Sequence, residues 1–481
     1  MNTLPLYRQL ANHYLDAIRS GTLKTGERLP SIRLMMEKHA VSLSTAVQVC
    51  RELEDCGVLE ARPRSGNYIR QPDTPTSPVA LTLPPPLDTG VYVGIHEHVS
   101  AVLKASQQAT IKVNLASAYC APALYPLKVL QDNMLKALRQ DQHLYDTTGS
   151  TCGNSALRNV LARRMLTAKT HLTADRIVIT HGATEAINLA LRAVTQPGDT
   201  VAVESPTFYG LLQILDSLNL RVLEVPASAH AGIHLTALEH LLQGPERIKA
   251  LIVMPNLHNP LGSIMPDTHK ARLVKLCAEH DTVLIEDDTY GDLVDTEQPL
   301  STLKHWDRTD NVIYCASLNK TLAPGLRLGW ISAGKWHDRV EMLKHTQTRG
   351  CEKLSQLAVS AFMGTPSYER YLRRLKKTLT QQRQHMSAAI LRYFPEGPRV
   401  TNPRGGTLLW VELPVQHSSM ALFQEALNVG IQISPGDIFS NAKRFKNFVR
   451  IGCGTPYSPR IDEALQTLGR LLKKPGLTQP L

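Results

Sequence analysis

The chain of 481 residues is too long for one typical hydrophobic core, so at least two domains are predicted, one of them large. Its composition, 43% hydrophobic and 20% charged, is typical of soluble globular proteins, and eight cysteines without a C-x-x-C pair exclude a disulfide scaffold. Because no apolar run is long enough to cross a bilayer and the N-terminus lacks a signal-peptide core, we expect a cytoplasmic protein; its net charge of +11 makes nucleic acid or an anionic ligand a reasonable partner.

The first seventy residues contain three helical patterns and a hairpin. PLYRQLANHYLDAIRSG has apolar side chains on one helical face and ends at Gly21. In LPSIRLMMEKHA, Ser31 stands at the N-cap position of a second helix, and VSLSTAVQVCRELEDCG has the spacing of a third. VLEARPRSGNYI predicts two short strands around a Pro-Arg-Ser-Gly turn. This is the order of elements in a winged helix-turn-helix.

A proline-rich stretch follows this block. QPDTPTSPVALTLPPPLDTG, residues 71–90, contains six prolines, which remove backbone donors and favour extended geometry. We interpret 72–110 as a linker that separates a small domain, 1–71, from a large one, 111–481.

After the linker, apolar strand patterns alternate with helical patterns such as ATEAINLALRAV, 183–194. Six strands are predicted, at 176–180, 200–204, 221–226, 250–255, 282–287 and 312–317. Buried strands with helical crossovers indicate a mostly parallel sheet covered on both faces. From about residue 350 a long basic helix, the strand TLLWVELP and further elements predict a smaller α+β subdomain.

The small block carries candidate DNA contacts. The second helix of a helix-turn-helix enters the major groove with its first residues, and polar or basic side chains of the hairpin reach the backbone. The candidates are Arg33, Ser42, Ser44, Thr45, Arg62, Arg64 and Gly66. The block has ten basic and seven acidic residues, a modest net charge of +3. A protein-binding or dimerisation domain, with the Ser and Thr residues acting only as caps, is the alternative.

The segment GERLPSIR, followed by VSLSTAVQVCRELEDCGVLEARPRSGNYI, resembles the winged helix of the GntR family of bacterial transcription regulators. The resemblance covers nearly the whole block and implies DNA binding. The sequence departs from the family at Leu43 and Val47, where many members have arginine.

Polar residues follow the strands of the large block. Asp287 and Tyr290 come at the end of one strand, Asn259 follows another, and Gly182 turns a strand into a helix that begins with Ala183 and Thr184. Phe208, Ser317, Lys320 and Arg327 stand at further strand ends, where open α/β sheets bind ligands. Together they offer what pyridoxal phosphate requires: an amine, a carboxylate for the pyridinium nitrogen, an aromatic ring and phosphate donors.

Each of these residues has another interpretation when it is taken alone. Lys320 could be a solvated surface lysine, Asp287 a helix cap, and Arg327 one half of a surface ion pair. The order of the motifs decides between the interpretations. GATEA, SPTFY, HNP, DDTY, SLNK and GLRLGW follow one another as in the fold type I aminotransferases, which the chain resembles over 111–481.

The resemblance implies a role for each residue. Lys320 is the Schiff-base lysine, Asp287 pairs with the pyridinium nitrogen, and Phe208 stacks on the ring. Asn259 and Tyr290 meet the phenolic oxygen, and Arg450 in NFVRIGCG binds a substrate or effector carboxylate. The phosphate is held by Ala183, Thr184, Ser317 and Arg327. Tyr145 matches the tyrosine that reaches the partner subunit's phosphate, but it lies farther from Gly153 than in the family.

A GntR winged helix joined to an aminotransferase-like domain resembles the MocR subfamily, and in particular its YdcR-like members. The resemblance implies a homodimer with swapped DNA-binding domains. Two functions stay open: a regulator that binds operator DNA and uses pyridoxal phosphate, or its adduct with an amine or amino acid, as effector; and a working aminotransferase with an accessory domain. A repressor of vitamin metabolism that responds to pyridoxal phosphate is a variant of the first. No metal site is predicted.

Overall fold

The chain forms two compact units, 1–77 and 78–481. The computed structural model describes residues 6–19, 22–23, 26–55, 59–62, 66–69, 89–141, 144–146, 148–395 and 397–474.

The small unit is a helical core with a hairpin. Its elements are α1 (Leu6–Arg19), α2 (Ile32–His39), α3 (Leu43–Asp55), β1 (Leu59–Arg62) and β2 (Gly66–Ile69). Ser31 caps α2 by accepting a hydrogen bond from the N–H of Leu34, as predicted, and Ala40, with φ at 52°, ends it in the left-handed region. Met35 and Leu53 are fully buried in the core between the helices. The predicted winged helix-turn-helix is confirmed.

The large unit contains thirteen helices and fifteen strands among its described residues. The helices are α4 (His96–Gln108), α5 (Leu127–Gln140), α6 (Ser155–Thr167), α7 (Ala183–Val194), α8 (Tyr209–Ser217), α9 (Leu235–Leu242), α10 (Asp267–Glu279), α11 (Leu303–Trp306), α12 (His337–Gln347), α13 (Lys353–Met363), α14 (Pro366–Tyr393), α15 (Ser419–Asn428) and α16 (Pro459–Leu472). The strands are β3 (Val91–Tyr92), β4 (Val113–Asn114), β5 (Val178–Thr180), β6 (Thr200–Ser205), β7 (Arg221–Ser228), β8 (Gly232–Ile233), β9 (Ile248–Val253), β10 (Val283–Asp288), β11 (Val312–Ser317), β12 (Gly329–Ser332), β13 (Arg399–Val400), β14 (Leu408–Glu412), β15 (Ile431–Gln432), β16 (Ser434–Pro435) and β17 (Phe448–Gly452).

The main sheet has the order β3-β7-β6-β9-β10-β11-β12-β5, with β8 paired to β7. The strands from β7 to β11 are parallel, and they are buried almost throughout because helices cover both faces. All six predicted strands are present, and α7 has the predicted bounds. The antiparallel strand β12 is not among the predicted strands; its first two residues, Gly329 and Trp330, belong to the GLRLGW motif.

The C-terminal subdomain is α+β, as predicted. Its antiparallel sheet has the order β13-β14-β17-β16, and α15 and α16 contribute buried apolar faces to the same core. Helix α14, 28 residues long, runs from a core shared with the main sheet to this one, with Leu375 in the first and Ile390 in the second.

The large unit begins before residue 111. Strand β3 pairs with β7, and α4 buries Val99 and Val102 in the main core. The predicted linker, 72–110, is therefore too long at its C-terminal end, because β3 joins the main sheet and Val99 and Val102 of α4 lie in its core. Residues 70–88 lie outside the described part of the chain. No helix among the described residues is long and apolar enough to cross a membrane.

Candidate functional site

A cavity of about 620 Å³ opens at the carboxyl ends of the parallel strands. All ten predicted residues of the large unit line it: Ala183, Thr184, Phe208, Asn259, Asp287, Tyr290, Ser317, Lys320, Arg327 and Arg450. They come from distant positions in the chain, and the strand order brings them together because parallel strands end at one edge of the sheet.

Lys320 lies inside the cavity, with 9% of its surface exposed. Its Nζ atom is 3.6 Å from the centroid of the Tyr119 ring and 5.2 Å from that of Tyr290. Burial lowers the pKa of the amine to about 7, and the positive charge of Arg450 contributes to the lowering, while Asp287 opposes it. A large fraction of the amine is therefore neutral near pH 7 and able to attack a carbonyl carbon.

Asp287, next to last in β10, faces the same cavity. Its Oδ1 atom accepts hydrogen bonds from the N–H and the hydroxyl of Thr289, at 3.1 and 2.5 Å. Burial raises the pKa of the carboxyl to about 6, and these bonds and Lys320 counteract burial. A cation placed beside Asp287 would restore its full negative charge, as a protonated ring nitrogen requires.

The N-terminus of α7 forms the anion-binding end of the cavity. Gly182, with φ at 88°, precedes the helix, and no side chain caps its first turn. A Cβ atom on Gly182 would come within 2.8 Å of Asn319 Nδ2. The exposed Arg327 donates to the carbonyl of His181 at 3.1 Å, so its guanidinium lies beside the same turn. Free backbone N–H groups, a helix dipole and an arginine at one point suit a phosphate.

Arg450, in β17, is buried in the wall of the cavity, with 2% of its surface exposed. It donates to Asn259 Oδ1 at 3.1 Å, to the carbonyl of Ala116 at 2.8 Å and to Ser434 Oγ at 3.2 Å. Its Nε atom is buried without a hydrogen-bond partner in the described structure. A guanidinium that has no carboxylate partner among the described residues, in an enclosed cavity, is suited to bind one from a ligand.

The residues that line the cavity without having been predicted include Tyr119, Glu204 and His258. Glu204 Oε2 lies 3.3 Å from His258 Nε2, and burial raises the pKa of Glu204 to about 8 and lowers that of His258 to about 3. Both shifts favour the uncharged forms of the two side chains. Glu204 could have been found from the sequence, because it is a charged residue within an apolar strand. No local pattern marks Tyr119, because its contact with Lys320 joins distant parts of the chain.

Tyr145 does not line the cavity of its own chain, and 66% of it is exposed.

The structure describes some of the candidate DNA contacts of the small unit. Ser42 precedes α3 and accepts from the N–H of Thr45, so it caps the helix while its hydroxyl stays exposed. Arg33 on α2 is exposed and pairs with Glu37 at 3.4 Å. Gly66 begins β2, opposite Arg62. Arg64 and the side chains of Ser44 and Arg62 lie outside the described residues.

Comparison with known proteins gives two family matches. The model for aminotransferase class I and II matches residues 110–468, and the model for bacterial regulatory proteins of the gntR family matches residues 6–69. Two HTH-type transcriptional regulators of Escherichia coli, YjiR and YdcR, are each 36% identical to the chain; the alignments cover 96% and 97% of this chain and 98% and 99% of theirs.

Solved structures match the large unit. The α-aminoadipate aminotransferase LysN of Thermus thermophilus, complexed with N-(5'-phosphopyridoxyl)-L-leucine, is 28% identical with a TM-score of 0.71, over 78% of this chain and 94% of that one. The kynurenine aminotransferase of Pyrococcus horikoshii is 26% identical with the same TM-score and coverage. The chain thus belongs to the MocR type of HTH-type transcriptional regulators, in which a DNA-binding domain of the gntR family is joined to an aminotransferase class I and II domain.

Proposed function

We propose that this DNA-binding regulator senses pyridoxal phosphate, or an amine or amino acid that reacts with it, through its aminotransferase-like unit. One observation carries the proposal: ten residues with the chemistry of a pyridoxal phosphate site line one cavity in a chain that also has a gntR-type winged helix. A regulator works where the chromosome is, so we assign it to the cytoplasm.

The cavity fits the cofactor. The uncapped start of α7 and the close approach at Gly182 leave room for a phosphate and no room for a Cβ atom. Lys320, with its lowered pKa, lines the same cavity, and the charges of Asp287 and Arg450 both act on its amine. When bound, pyridoxal phosphate supplies an aldehyde for amines and an electron-withdrawing ring.

The residues of this chain then have distinct tasks. The Lys320 amine would hold the cofactor through its aldehyde carbon, and Asp287 would keep a proton on the ring nitrogen. Phe208 would stack on the ring, and Asn259 and Tyr290 would donate to the phenolic oxygen. Ala183, Thr184, Ser317 and Arg327 would bind the phosphate. Arg450 would orient an amino acid by its carboxylate.

We also propose a homodimer with swapped DNA-binding domains. The C-terminal half of helix α5 exposes Leu135 at 52% and Leu138 at 41%, an apolar surface that suits burial by a second copy. Tyr145 would then reach the phosphate site of the other subunit. Sedimentation velocity of the wild type and of Leu135→Glu tests this; a monomeric wild type would contradict it.

A working aminotransferase is the second candidate, and the intact set of Lys320, Asp287 and Arg450 favours it. An enzyme has no evident use for the winged helix, so we prefer the regulator. The two functions differ in what happens to an amine. In a regulator the amine changes DNA affinity, and in an aminotransferase it is consumed.

The test uses the purified protein loaded with pyridoxal phosphate and a duplex that the protein selects from a random pool. Amino acids and amines are titrated while visible absorbance and DNA affinity are recorded together. We expect the ligand that changes the spectrum to shift DNA affinity by about 5- to 150-fold, a coupling of about 1–3 kcal/mol. DNA must alter ligand affinity by the same factor.

The variant Lys320→Ala should keep its DNA binding. It should lose both the change in absorbance and the change in DNA affinity when ligand is added. A spectral change with constant DNA affinity and turnover of amine would favour the enzyme.

A further inference from the structure

Most of the positive charge of the chain lies outside the DNA-binding block. Residues 1–71 contribute +3 of the net +11, and residues 72–481, with 43 basic and 35 acidic side chains, contribute +8. Helix α14 alone holds seven basic residues and one acidic residue, a net charge of +6. The excess charge of the large unit is thus concentrated on one helix.

Four of these basic residues lie on one exposed face. Arg370, Arg373, Arg374 and Lys377 have the i, i+3, i+4, i+7 spacing, and all are exposed, whereas Leu372 and Leu375 are buried on the opposite side. We call these four residues the basic stripe. They form no salt bridge in the described part of the chain, and Arg370 only donates to Ser367 Oγ, at 2.8 Å. The single acidic residue of the helix, Glu369, is paired with Arg164.

The stripe borders a cleft of about 610 Å³ between the starts of α5 and α14. Arg370, Arg374 and Lys128 line it together with Ser367. Neither helix has a side-chain cap at its N-terminus, so both present backbone N–H groups at this end. Three cations and two positive helix ends give the cleft the character of a phosphate-binding surface.

We propose that the basic stripe and its cleft bind the phosphate backbone of DNA, in addition to the contacts of the winged helix. The inference rests on the proposed function, because a chain that carries a gntR-type DNA-binding domain holds duplex DNA at high effective concentration near its own large unit. The stripe spans about 10 Å of helix, over which a duplex presents about six phosphate charges. The contact is sequence-independent and extends the site beyond the bases that the winged helix reads.

The test compares two charge-matched double variants of the full-length protein. Arg370→Gln/Arg374→Gln removes half of the stripe and two of the three cations that line the cleft. Arg272→Gln/Lys275→Gln removes two exposed charges of α10, which packs on a different core cluster. Binding to a labelled random-sequence duplex of about four helical turns is measured between about 50 and 200 mM salt. We expect the slope of log K against log salt to fall by about 2 for the stripe variant, at about 0.9 per phosphate contact, and to be almost unchanged for the control.

Equal slopes for the two variants would overturn the proposal while leaving the winged helix as the DNA-binding element. No binding of the duplex by the wild type would instead contradict the proposed function. Vesicles of anionic phospholipid provide the other comparison: loss of vesicle binding without a change in DNA binding would assign the stripe to a membrane surface and also overturn the proposal. Unchanged thermal unfolding of both variants shows that their folds are intact.

Discussion

The amine of Lys320 lies 3.6 Å from the centroid of the Tyr119 ring, although the two residues are far apart in the sequence. The face of an aromatic ring stabilises a cation by about 0.5–2 kcal/mol, so Tyr119 favours the protonated amine. We predict that Tyr119→Leu lowers the pKa of Lys320 by about 0.4–1.5, whereas Tyr119→Phe, which keeps the ring face, changes it little. The pH dependence of pyridoxal phosphate uptake by the apoprotein measures this. Equal midpoints for the wild type and the Leu variant would rule out the contact in solution.

The same measurement on the wild type should show a midpoint near the lowered pKa of Lys320, about 7. The amine attacks an aldehyde only when it is neutral, and with a lowered pKa it is neutral above about pH 7 and protonated below. Uptake should therefore slow as the pH falls through about 7, whereas an exposed lysine would lose reactivity already below about pH 10. Lys320→Ala should lose the visible absorbance entirely. A dialysed Ala variant that keeps this absorbance would show that another group holds the cofactor.

Lys344 should stabilise the start of α7 through Glu185. The Lys344 side chain is fully buried, and its Nζ atom lies 2.8 Å from Glu185 Oε2, which also accepts from the N–H of His181 at 2.7 Å. Glu185→Gln leaves a buried cation without its carboxylate, a change that typically costs about 3–5 kcal/mol. We expect a lower thermal midpoint and weaker cofactor binding, because the pair holds the turn at Gly182.

The double variant Glu185→Gln/Lys344→Met serves as the control for this prediction. It removes both charges and should recover much of the lost stability, since no unpaired cation is left at this place in the core. If the double variant were no more stable than Glu185→Gln, the effect would not come from the ion pair.

Arg450 should decide whether amino acids or simple amines are sensed. Its Nε atom has no hydrogen-bond partner in the described structure, and only a ligand with a carboxylate would use the guanidinium. In Arg450→Gln, the affinity for amino acids, measured by the change in absorbance, should fall by about tenfold or more. The affinity for the corresponding decarboxylated amines should stay nearly unchanged. Titration of matched pairs of ligands measures this, and equal losses for both classes would contradict a carboxylate-binding role.

Arg33 should contribute one phosphate contact. Its side chain is 91% exposed and pairs with Glu37 at 3.4 Å. Arg33→Ala should weaken binding to all DNA sequences and lower the salt slope by about 0.9, and Glu37→Gln, which removes a competing carboxylate, should strengthen binding. An unchanged slope for Arg33→Ala would place the contact elsewhere.

The sequence by itself determined the order of elements and the members of the site that follow strands. Period-two and continuous apolar runs are local properties, so β6, β9, β10 and β11 and the polar residues after them are visible in the linear chain. The same holds for Ser31, whose capping role depends on a residue three positions away. The ten residues that line the cavity could be named in advance because each of them belongs to a short motif.

Only the tertiary structure decided where the large unit begins and what surrounds Lys320, because both depend on contacts between distant residues. The predicted linker includes residues 91–108, because no local pattern shows that β3 pairs with β7 or that α4 packs in the main core. The contact of Tyr119 with Lys320 and the unpaired Nε atom of Arg450 are visible only in the folded chain, because residues far apart in the sequence line the same cavity. The lowered pKa of that lysine has the same origin, because it comes from removing the amine from water, and burial is a property of the folded chain rather than of any segment.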